Sequence, residues 1–578
     1  MPLLKSASVS VALRAVSSTA FKIIKEVRRQ FRAEPCIIKS TSRPDSSGPC
    51  SSPFLVCQGR RSQVCLGLMK VSLTQGRLSN VSLIVLSTEY HDIHLCFCRF
   101  GDRIQVSDKN GSNALQRGET VFRKILIANR GEIAVRIIRT CKEMGIRTVG
   151  IYSDIDADSL HVKLADEAYP VGPGDPIQSY LNAQKIIEIA TRSQAEAIHP
   201  GYGFLAENPE FVEMCEQQGL TFVGPPSECM RKVKPKLAAR QLMSKINIPI
   251  VPGYDHTLVN SSSGKFGQVE EVADSIGYPV IVKPSGGGGG IGMTVARKRG
   301  ELADAVRFVE ERGRKVFGVS AFYIEKYLSG VKHIEFQVLA DKHGNFIHLG
   351  ERDCSIQRRF QKLLEEAPCH VLSSHLRMKM ASSALDVAVA LRYVNALTVE
   401  FFYAPDTREF FFNEVNTRLQ VEHCVTEAVT GVDIVKEQIR IAAGEQLAYG
   451  QDDIAFQGHA LECRITAEDV SHNFLPCPGT ITRLWLPHGS GVRIDEGIYE
   501  GYVIPLHYDP LLLKLMTWGK TRDEAIARMK RVLDEMKIEG VETILPFHRT
   551  VLEDACFGAG RYTTDFVEKQ HIVEKVRG

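Results

Sequence analysis

The chain has 578 residues, which is enough for several domains, because compact domains usually contain roughly 100–200 residues. Its composition, 44% hydrophobic and 24% charged, is typical of globular proteins, and no apolar run approaches the roughly 18 residues that a transmembrane helix needs. Residues 1–120 carry 17 Lys and Arg against 8 Asp and Glu, whereas the remainder carries 54 against 60, so we expect neither a membrane span nor a nucleic-acid partner.

The first 120 residues are predicted to be a poorly structured N-terminal extension. Their first 25 residues contain many Ser and Ala, no acid, and the basic side chains Lys5, Arg14, Lys22 and Lys25. This composition is typical of mitochondrial presequences, so we expect the mitochondrial matrix, with a cytoplasmic location as the alternative. The 15 cysteines show no C-x-x-C spacing, which indicates reduced thiols rather than a disulfide framework.

A change of pattern at about residue 121 predicts a parallel α/β layer over residues 121–234. The apolar residues 125–128 form a short buried strand, and a helical pattern begins at Gly131. Further apolar strands are predicted at 148–152, 197–200 and 221–224, alternating with helices. The turn at residues 129–132 contains one glycine and no G-x-G-x-x-G motif, so a dinucleotide site is not expected.

A glycine-rich loop follows the strand that ends at Lys283. Residues 286–290 are all glycine, and such a loop lets backbone N–H groups close on phosphate oxygens without Cβ clashes. A flexible linker would have the same composition, but the lysine at the strand end favours phosphate binding. We therefore predict a mobile lid over a nucleotide.

Two carboxylates are predicted to face each other across a hairpin. Glu400 lies in a strand at 397–403, Glu414 lies in a strand at 409–415, and turn residues separate them. Hard oxygen ligands of this kind suit Mg²⁺. Polar side chains continue at strict alternation through Glu414, Asn416, Arg418, Gln420 and Glu422. A solvated sheet face alternates in the same way, but a row with metal ligands, a guanidinium and a carboxylate favours an anion-activating site.

From about residue 122 to residue 568 the chain resembles biotin carboxylase, the ATP-grasp component of biotin-dependent carboxylases. The motifs that carry the resemblance are KILIANRGEIA from Lys124, HPGYGFL from His199, ERDCSIQRR from Glu351, EEAP from Glu365 and EVNTRLQVEH from Glu414. The implied fold is α/β and α+β multidomain: a parallel α/β N-terminal domain at 121–234, an ATP-grasp domain at 235–455 with a lid at about 251–327, and a C-terminal domain at 456–570. The implied activity is ATP-dependent carboxylation of biotin with bicarbonate, through carboxyphosphate.

The resemblance also implies roles for individual residues. ATP is expected to lie among Lys236, Lys283, Gly289, Gly290, Glu325, Lys326, Leu328, His333 and Gln357. Magnesium or manganese is expected at Glu400, Glu414 and Asn416. Bicarbonate is expected beside Lys362, Arg418, Gln420 and the backbone of Val421, with Glu422 as the general base. Arg493 is expected to stabilise the biotin enolate.

The implied partners are a biotin carboxyl carrier protein or domain and a carboxyltransferase subunit of an acyl-CoA or pyruvate carboxylase, in a homo-oligomer. Three positions depart from the usual pattern: Pro235, Ile291 and Phe360. Ile291 and Phe360 leave open a urea carboxylase-like component and an inactive nucleotide-binding regulatory subunit. Another ATP-grasp carbon–nitrogen ligase, which would also make carboxyphosphate, is a further alternative. Lys379 lies in a Met-Lys-Met triplet like that of a biotin attachment site, but the helical pattern around it indicates that biotin is carried elsewhere.

Overall fold

The computed structural model describes residues 121–254, 266–285, 292–318 and 320–578, together with six strands between residues 55 and 95. The chain divides into two units, 1–119 and 120–578. The strands of the first unit are β1 (Leu55–Gln58), β2 (Gln63–Leu66), β3 (Lys70–Thr74), β4 (Arg77–Ser82), β5 (Val85–Glu89) and β6 (Asp92–Leu95). They form an antiparallel sheet in the order β1-β2-β5-β6 and a β3-β4 hairpin. The predicted presequence and the glycines at 286–290 lie outside the described residues.

The second unit begins with a five-stranded parallel sheet in the order β11-β10-β7-β8-β9. Its elements are β7 (Lys124–Ile127), α1 (Gly131–Glu143), β8 (Arg147–Ser153), α2 (Leu160–Leu164), β9 (Glu167–Gly172), α3 (Ala183–Arg192), β10 (Ala197–His199), α4 (Pro209–Gln217), β11 (Thr221–Phe222) and α5 (Ser227–Val233). Apolar residues of α1 such as Ile133 and Ile137 are buried against this sheet. The predicted parallel α/β layer is confirmed.

A small antiparallel sheet in the order β13-β12-β14 follows, with two helices packed on it. Helix α6 (Lys236–Lys245) precedes this sheet, whose own elements are α7 (Phe266–Ile276), β12 (Val280–Pro284), β13 (Thr294–Ala296), α8 (Leu302–Phe317) and β14 (Phe322–Lys326). Strand β12 is buried along its whole length. The sheet therefore has a hydrophobic core of its own. The predicted lid would need such a core in order to move as one body.

An eight-stranded antiparallel sheet in the order β19-β18-β15-β16-β17-β20-β27-β25 joins the central and C-terminal regions. Its first part contains β15 (Lys332–Ala340), β16 (Phe346–Arg358), β17 (Gln361–Ala367), α9 (Ser374–Leu391), β18 (Asn395–Ala404), β19 (Glu409–Asn416), α10 (His423–Thr430) and α11 (Ile434–Ala442). Helix α9 covers one face of the sheet, where Phe336 and Phe401 are fully buried. Because one sheet spans both regions, polar side chains from distant parts of the sequence meet on its other face.

The C-terminal region adds three strands to that sheet and three short strand pairs. Its elements are β20 (His459–Thr466), β21 (Glu468–Asp469), β22 (Leu475–Pro476), β23 (Gly479–Thr480), β24 (Arg483–Trp485), β25 (Val492–Glu496), β26 (Val503–Ile504), β27 (Leu511–Gly519), α12 (Arg522–Glu535), β28 (Lys537–Glu539), α13 (Leu545–Glu553), α14 (Ala555–Gly558), α15 (Phe566–Lys569) and α16 (Ile572–Arg577). The predicted α/β and α+β multidomain class is confirmed. Within the described ranges, every helix is too short or too polar to span a bilayer.

Candidate active site

A cavity of about 1170 Å³ is lined by all three regions of the second unit. Tyr202 and Phe204 come from the parallel layer, Lys283 from the small sheet, Glu422 from the loop after β19 and Tyr508 from the C-terminal region. Small-molecule pockets usually have volumes of roughly 300–1,000 Å³. The cavity is therefore large enough for a nucleotide and a second substrate.

The end of the cavity at the small sheet contains a buried carboxylate between two cations. Glu325 on β14 accepts hydrogen bonds from Lys283 at 2.5 Å and from Arg240 at 2.6 Å. Burial acts to raise the pKa of Glu325, but the charges of Lys283 and Arg240 outweigh it and hold the pKa below its ordinary value. Lys283 lies at the end of β12, beside the glycine loop, as predicted. A lysine in this position can neutralise phosphate charge.

The other predicted nucleotide residues also line this cavity. His333 lies with Nδ1 2.7 Å from Nε2 of Gln357, and Gln357 also donates to the carbonyl oxygen of Cys354. Lys326 donates to the carbonyl oxygens of Gly277 and Tyr278, just before β12, at 2.9 and 3.0 Å, and Leu328 also lines the cavity. The described nucleotide residues are thus brought together, whereas Gly289 and Gly290 lie outside the described residues.

The predicted metal ligands lie on two paired strands. Glu400 on β18 is directly opposite Glu414 on β19, as the hairpin prediction requires. Glu400 accepts from Nδ2 of Asn416 at 2.8 Å, and Glu414 accepts from Lys236 at 2.8 Å. Burial acts to raise the pKa of Glu400, but Lys362 and His333 hold it far below its ordinary value. Two carboxylates and an amide oxygen fit the hard ligand set of Mg²⁺.

Lys362 on β17 is the centre of a buried ionic cluster. Its ammonium lies 2.5 Å from Glu335, 2.6 Å from Glu422 and 3.0 Å from Glu400. Arg352 lies on the other side of Glu335, at 2.5 Å. Burial acts to lower the pKa of Lys362, but Glu335, Glu400 and Glu422 outweigh it and raise the pKa well above its ordinary value, so Lys362 stays protonated. Arg352 and Arg464 offset part of the carboxylate charge, so the ammonium can contribute to holding a small anion where the cluster opens to the cavity.

The predicted alternating row is only partly a strand. Strand β19 ends at Asn416, and the chain then runs irregularly to Glu422, which is the N-cap residue of α10. Arg418 is held there by Glu207 at 3.1 Å, by the carbonyl oxygen of Leu419 at 3.1 Å and by Asn416 at 3.1 Å. The alternation of polar residues therefore continues beyond the strand, into the segment that turns into α10. The side chains nevertheless line the cavity together.

Glu422 is fully buried between two cations. Its Oε1 lies 2.6 Å from Nζ of Lys362, and its Oε2 accepts a hydrogen bond from Nη2 of Arg464 at 3.0 Å. Burial acts to raise the pKa of Glu422, but the charges of Lys362, Arg464 and Arg352 outweigh it and hold the pKa well below its ordinary value. Glu422 is therefore ionised at neutral pH and able to accept a proton.

The structure does not bring Arg493 to Glu422. The guanidinium of Arg493 donates to Glu427 at 2.7 Å and to Asp495 at 2.8 Å, and the described residues that line the cavity do not include it. Arg464 on β20 lines the cavity and contacts Glu422 instead. Its Nε also donates to Glu365 at 2.7 Å. In the structure, Arg464 occupies the place that we expected for Arg493.

The sequence reasoning missed four residues that hold the site together: Glu207, Glu335, Arg352 and Arg464. Arg352 belongs to the ERDCSIQRR motif, and Arg464 lies in β20. A charged residue at a buried position of a strand was the available signal, because such charges are buried only with partners. Glu207 follows the HPGYGFL motif and gave no such signal.

Comparison with known families shows matches along most of the second unit. Residues 121–230 match the biotin carboxylase N-terminal domain, residues 235–449 match the ATP-binding domain of the carbamoyl-phosphate synthase L chain, and residues 462–569 match the biotin carboxylase C-terminal domain. The fold and the site thus define an ATP-dependent ligase.

Individual relatives are similar over the same part of the chain. Biotin carboxylase 1 of Bacillus subtilis is 50% identical over 78% of this chain and 100% of its own length. A pyruvate carboxylase subunit of Methanothermobacter thermautotrophicus is 49% identical over 78% of this chain and 90% of its own. The biotin carboxylase domain dimer of Hydrogenobacter thermophilus 2-oxoglutarate carboxylase, solved with MgADP and bicarbonate, is 46% identical, covers 78% of this chain and 98% of its own, and has a TM-score of 0.76. The chain belongs to the biotin carboxylase family.

Proposed function

We propose that this chain uses ATP and bicarbonate to carboxylate biotin that is attached to a carrier protein or domain. The observation that carries the proposal is the convergence of Lys362, Arg418 and Glu422 on one cavity, next to the Glu400–Glu414 pair. Two cations can clamp a small anion, the carboxylate can remove its proton, and Glu400, Glu414 and Asn416 would hold the magnesium that neutralises nucleotide phosphates.

The first step is activation of bicarbonate. An oxygen of bicarbonate attacks the γ-phosphorus of ATP, the bond from that phosphorus to ADP breaks, and the bicarbonate proton passes to Glu422. Arg418 and Lys362 keep the anion in line with the phosphate, while Lys236 and Lys283 neutralise charge on the nucleotide. The products are carboxyphosphate and ADP.

The second step transfers the carboxyl group. Carboxyphosphate separates into CO₂ and fully deprotonated phosphate, this phosphate takes the proton of the ureido nitrogen of biotin, and the nitrogen then attacks the carbon of CO₂. Loss of this proton leaves negative charge on the ureido oxygen, which a guanidinium stabilises. We assign this role to Arg464, because it lies in the cavity at 3.0 Å from Glu422 whereas Arg493 is held by Glu427 and Asp495.

The same proposal includes the partners of this chain: a biotin carrier, a carboxyltransferase and further copies of the chain itself. Two relatives are subunits of pyruvate and 2-oxoglutarate carboxylases, and the biotin carboxylase domain of the latter is a dimer. These relatives support a role for this chain as one component of an acyl-CoA or pyruvate carboxylase that works as a homo-oligomer. The basic composition of residues 1–25 supports import into the mitochondrial matrix.

Purified protein tests the proposal directly. We expect ATP cleavage that requires bicarbonate and increases with free biotin, and transfer of labelled bicarbonate carbon to biotin. Free biotin should be a poor substrate, because it lacks the binding energy and positioning of a carrier. ATP cleavage that biotin leaves unchanged but ammonia stimulates would instead indicate a carbamoyl-phosphate type of ligase.

A further inference from the structure

A buried lysine with no part in the proposed chemistry contacts the backbone of the catalytic segment. Lys514 on β27 has no exposed surface, and its ammonium donates to the carbonyl oxygen of Val421 at 2.9 Å. Val421 lies between Gln420 and Glu422, and all three line the cavity. Lys514 is therefore one residue away from both the amide and the carboxylate that face the substrate.

The register of the large sheet places this lysine beside Arg464. Lys514 is directly opposite Arg464 on β20, and on its other side it is directly opposite Asp495 on β25. Directly opposite residues in an antiparallel pair point to the same face of a sheet. The two cations therefore reach adjacent residues: Arg464 contacts the side chain of Glu422, and Lys514 contacts the main chain of Val421.

The same ammonium connects the catalytic segment to a second domain. Its Nζ lies 3.4 Å from Oε2 of Glu132, at the start of α1 in the parallel layer, and 3.9 Å from Asp495. It also lies 3.2 Å from Sγ of Cys424, in the first turn of α10. One buried charge thus holds the parallel layer, the segment before α10 and the C-terminal strands in a fixed arrangement.

We propose that Lys514 is a positioning residue for bicarbonate activation, because it fixes the peptide between Val421 and Glu422 and so orients the groups that hold and deprotonate the anion. The inference rests on the proposed function of residues 420–422. An ammonium-to-carbonyl hydrogen bond is charge-assisted and strong, and the ammonium that donates it here is fully buried. Without it, the segment would lose the contact that sets its backbone orientation, although Arg464 would still pair with Glu422.

The test is the kinetics of purified Lys514→Met in biotin-dependent ATP cleavage. Methionine has a similar length but no charge and no donor. A shift of about 1 Å in a positioned group reduces rates by roughly 10²-fold, so we expect kcat to fall by about 10–100-fold. We also expect the KM for bicarbonate to rise by about tenfold, whereas the KM for ATP should change by less than about twofold, because Lys283 and Glu325 are untouched. An unchanged KM for bicarbonate would overturn the positioning role.

Arg522→Met is the matched control. Arg522 is a buried cation in the same domain, pairs with Glu366 at 2.7 Å, and is outside the described lining of the cavity. The Arg522→Met substitution should lower the melting temperature without raising the KM for bicarbonate. An equal rise in both variants would show that Lys514 acts through general stability and would refute the proposal.

Lys514→Arg keeps the charge and carries the test alone if the methionine variant does not fold. The larger guanidinium must fit a fully buried site and places its donors differently, so the KM for bicarbonate should still rise by about threefold or more in a protein that melts cooperatively. An unchanged KM in this variant would again count against the role. A wild-type enzyme without any biotin-dependent ATP cleavage would instead overturn the proposed function.

Discussion

Replacing Glu422 by glutamine should stop proton removal from bicarbonate and leave the nucleotide site nearly intact. The change keeps the shape of the side chain but removes its charge. Glu422 contacts Lys362 at 2.6 Å and Arg464 at 3.0 Å, whereas the nucleotide end of the cavity is formed by contacts such as Lys283 with Glu325. We therefore expect a large effect on turnover and a small one on the KM for ATP.

The magnitude follows from the role and from the burial of the group. A positioned general base contributes roughly 10²–10⁴-fold to the rate, so the barrier should rise by about 3–5 kcal/mol. Removing one partner of a buried ion pair costs about 3–5 kcal/mol of stability. The loss should be at or below the lower end of that range, because Lys362 keeps Glu335 and Glu400 as partners.

The assay is bicarbonate-dependent ATP cleavage with and without biotin, together with a thermal melt. Glu351→Gln provides a control, because Glu351 is also a buried carboxylate paired with an arginine, Arg377 at 2.7 Å, and is not among the described residues of the cavity. The Glu351→Gln variant should have a lower melting temperature than the wild type but the same turnover rate. Equal turnover of Glu422→Gln and the wild type, or a comparable loss in Glu351→Gln, would refute the assignment of the base.

Three further predictions follow from the site and the buried histidines. Glu414→Gln should raise the magnesium concentration needed for half-maximal ATP cleavage by about tenfold, since one carboxylate ligand becomes neutral; an unchanged magnesium titration would exclude that role. Arg464→Met should lower kcat/KM for biotin by about 10²-fold and Arg493→Met by less than about threefold; the reverse order would restore the assignment made from the sequence. Burial lowers the pKa of His199 and His423 to about 3, and both rings are neutral in the folded protein. Since the unfolded pKa is about 6.5, their stabilisation is complete above that pH and falls as the pH decreases toward 3, by about 2 kcal/mol per ring at pH 5. A melting temperature that is constant between pH 7 and pH 5 would contradict this.

Short-range patterns predicted the local elements of the site well. The apolar strand before the glycine loop placed Lys283 correctly, and the hairpin symmetry about its turn placed Glu400 opposite Glu414. The alternation after Glu414 gave residues that line the cavity but did not show where the strand ends, because a polar residue at every second position is compatible both with a strand and with an irregular segment whose side chains turn inward. The position at which the chain leaves the strand depends on the packing of α10, which local alternation does not contain.

The exchange of Arg493 for Arg464 shows where sequence reasoning ends. Both arginines occupy a strand of alternating character, and both have acidic residues nearby, Asp495 for one and Glu462 for the other. Their environments differ because the sheet order is β17-β20-β27-β25, which puts β20 next to the strand of Lys362 and β25 two strands further away. With neighbouring strands about 4.8 Å apart, that order places Arg493 on the order of 10 Å farther from the catalytic cluster. Within the described sheet, the long-range pairing of β20 with β17 therefore decides that Arg464 lies beside the general base Glu422, whereas Arg493 is held by Glu427 and Asp495.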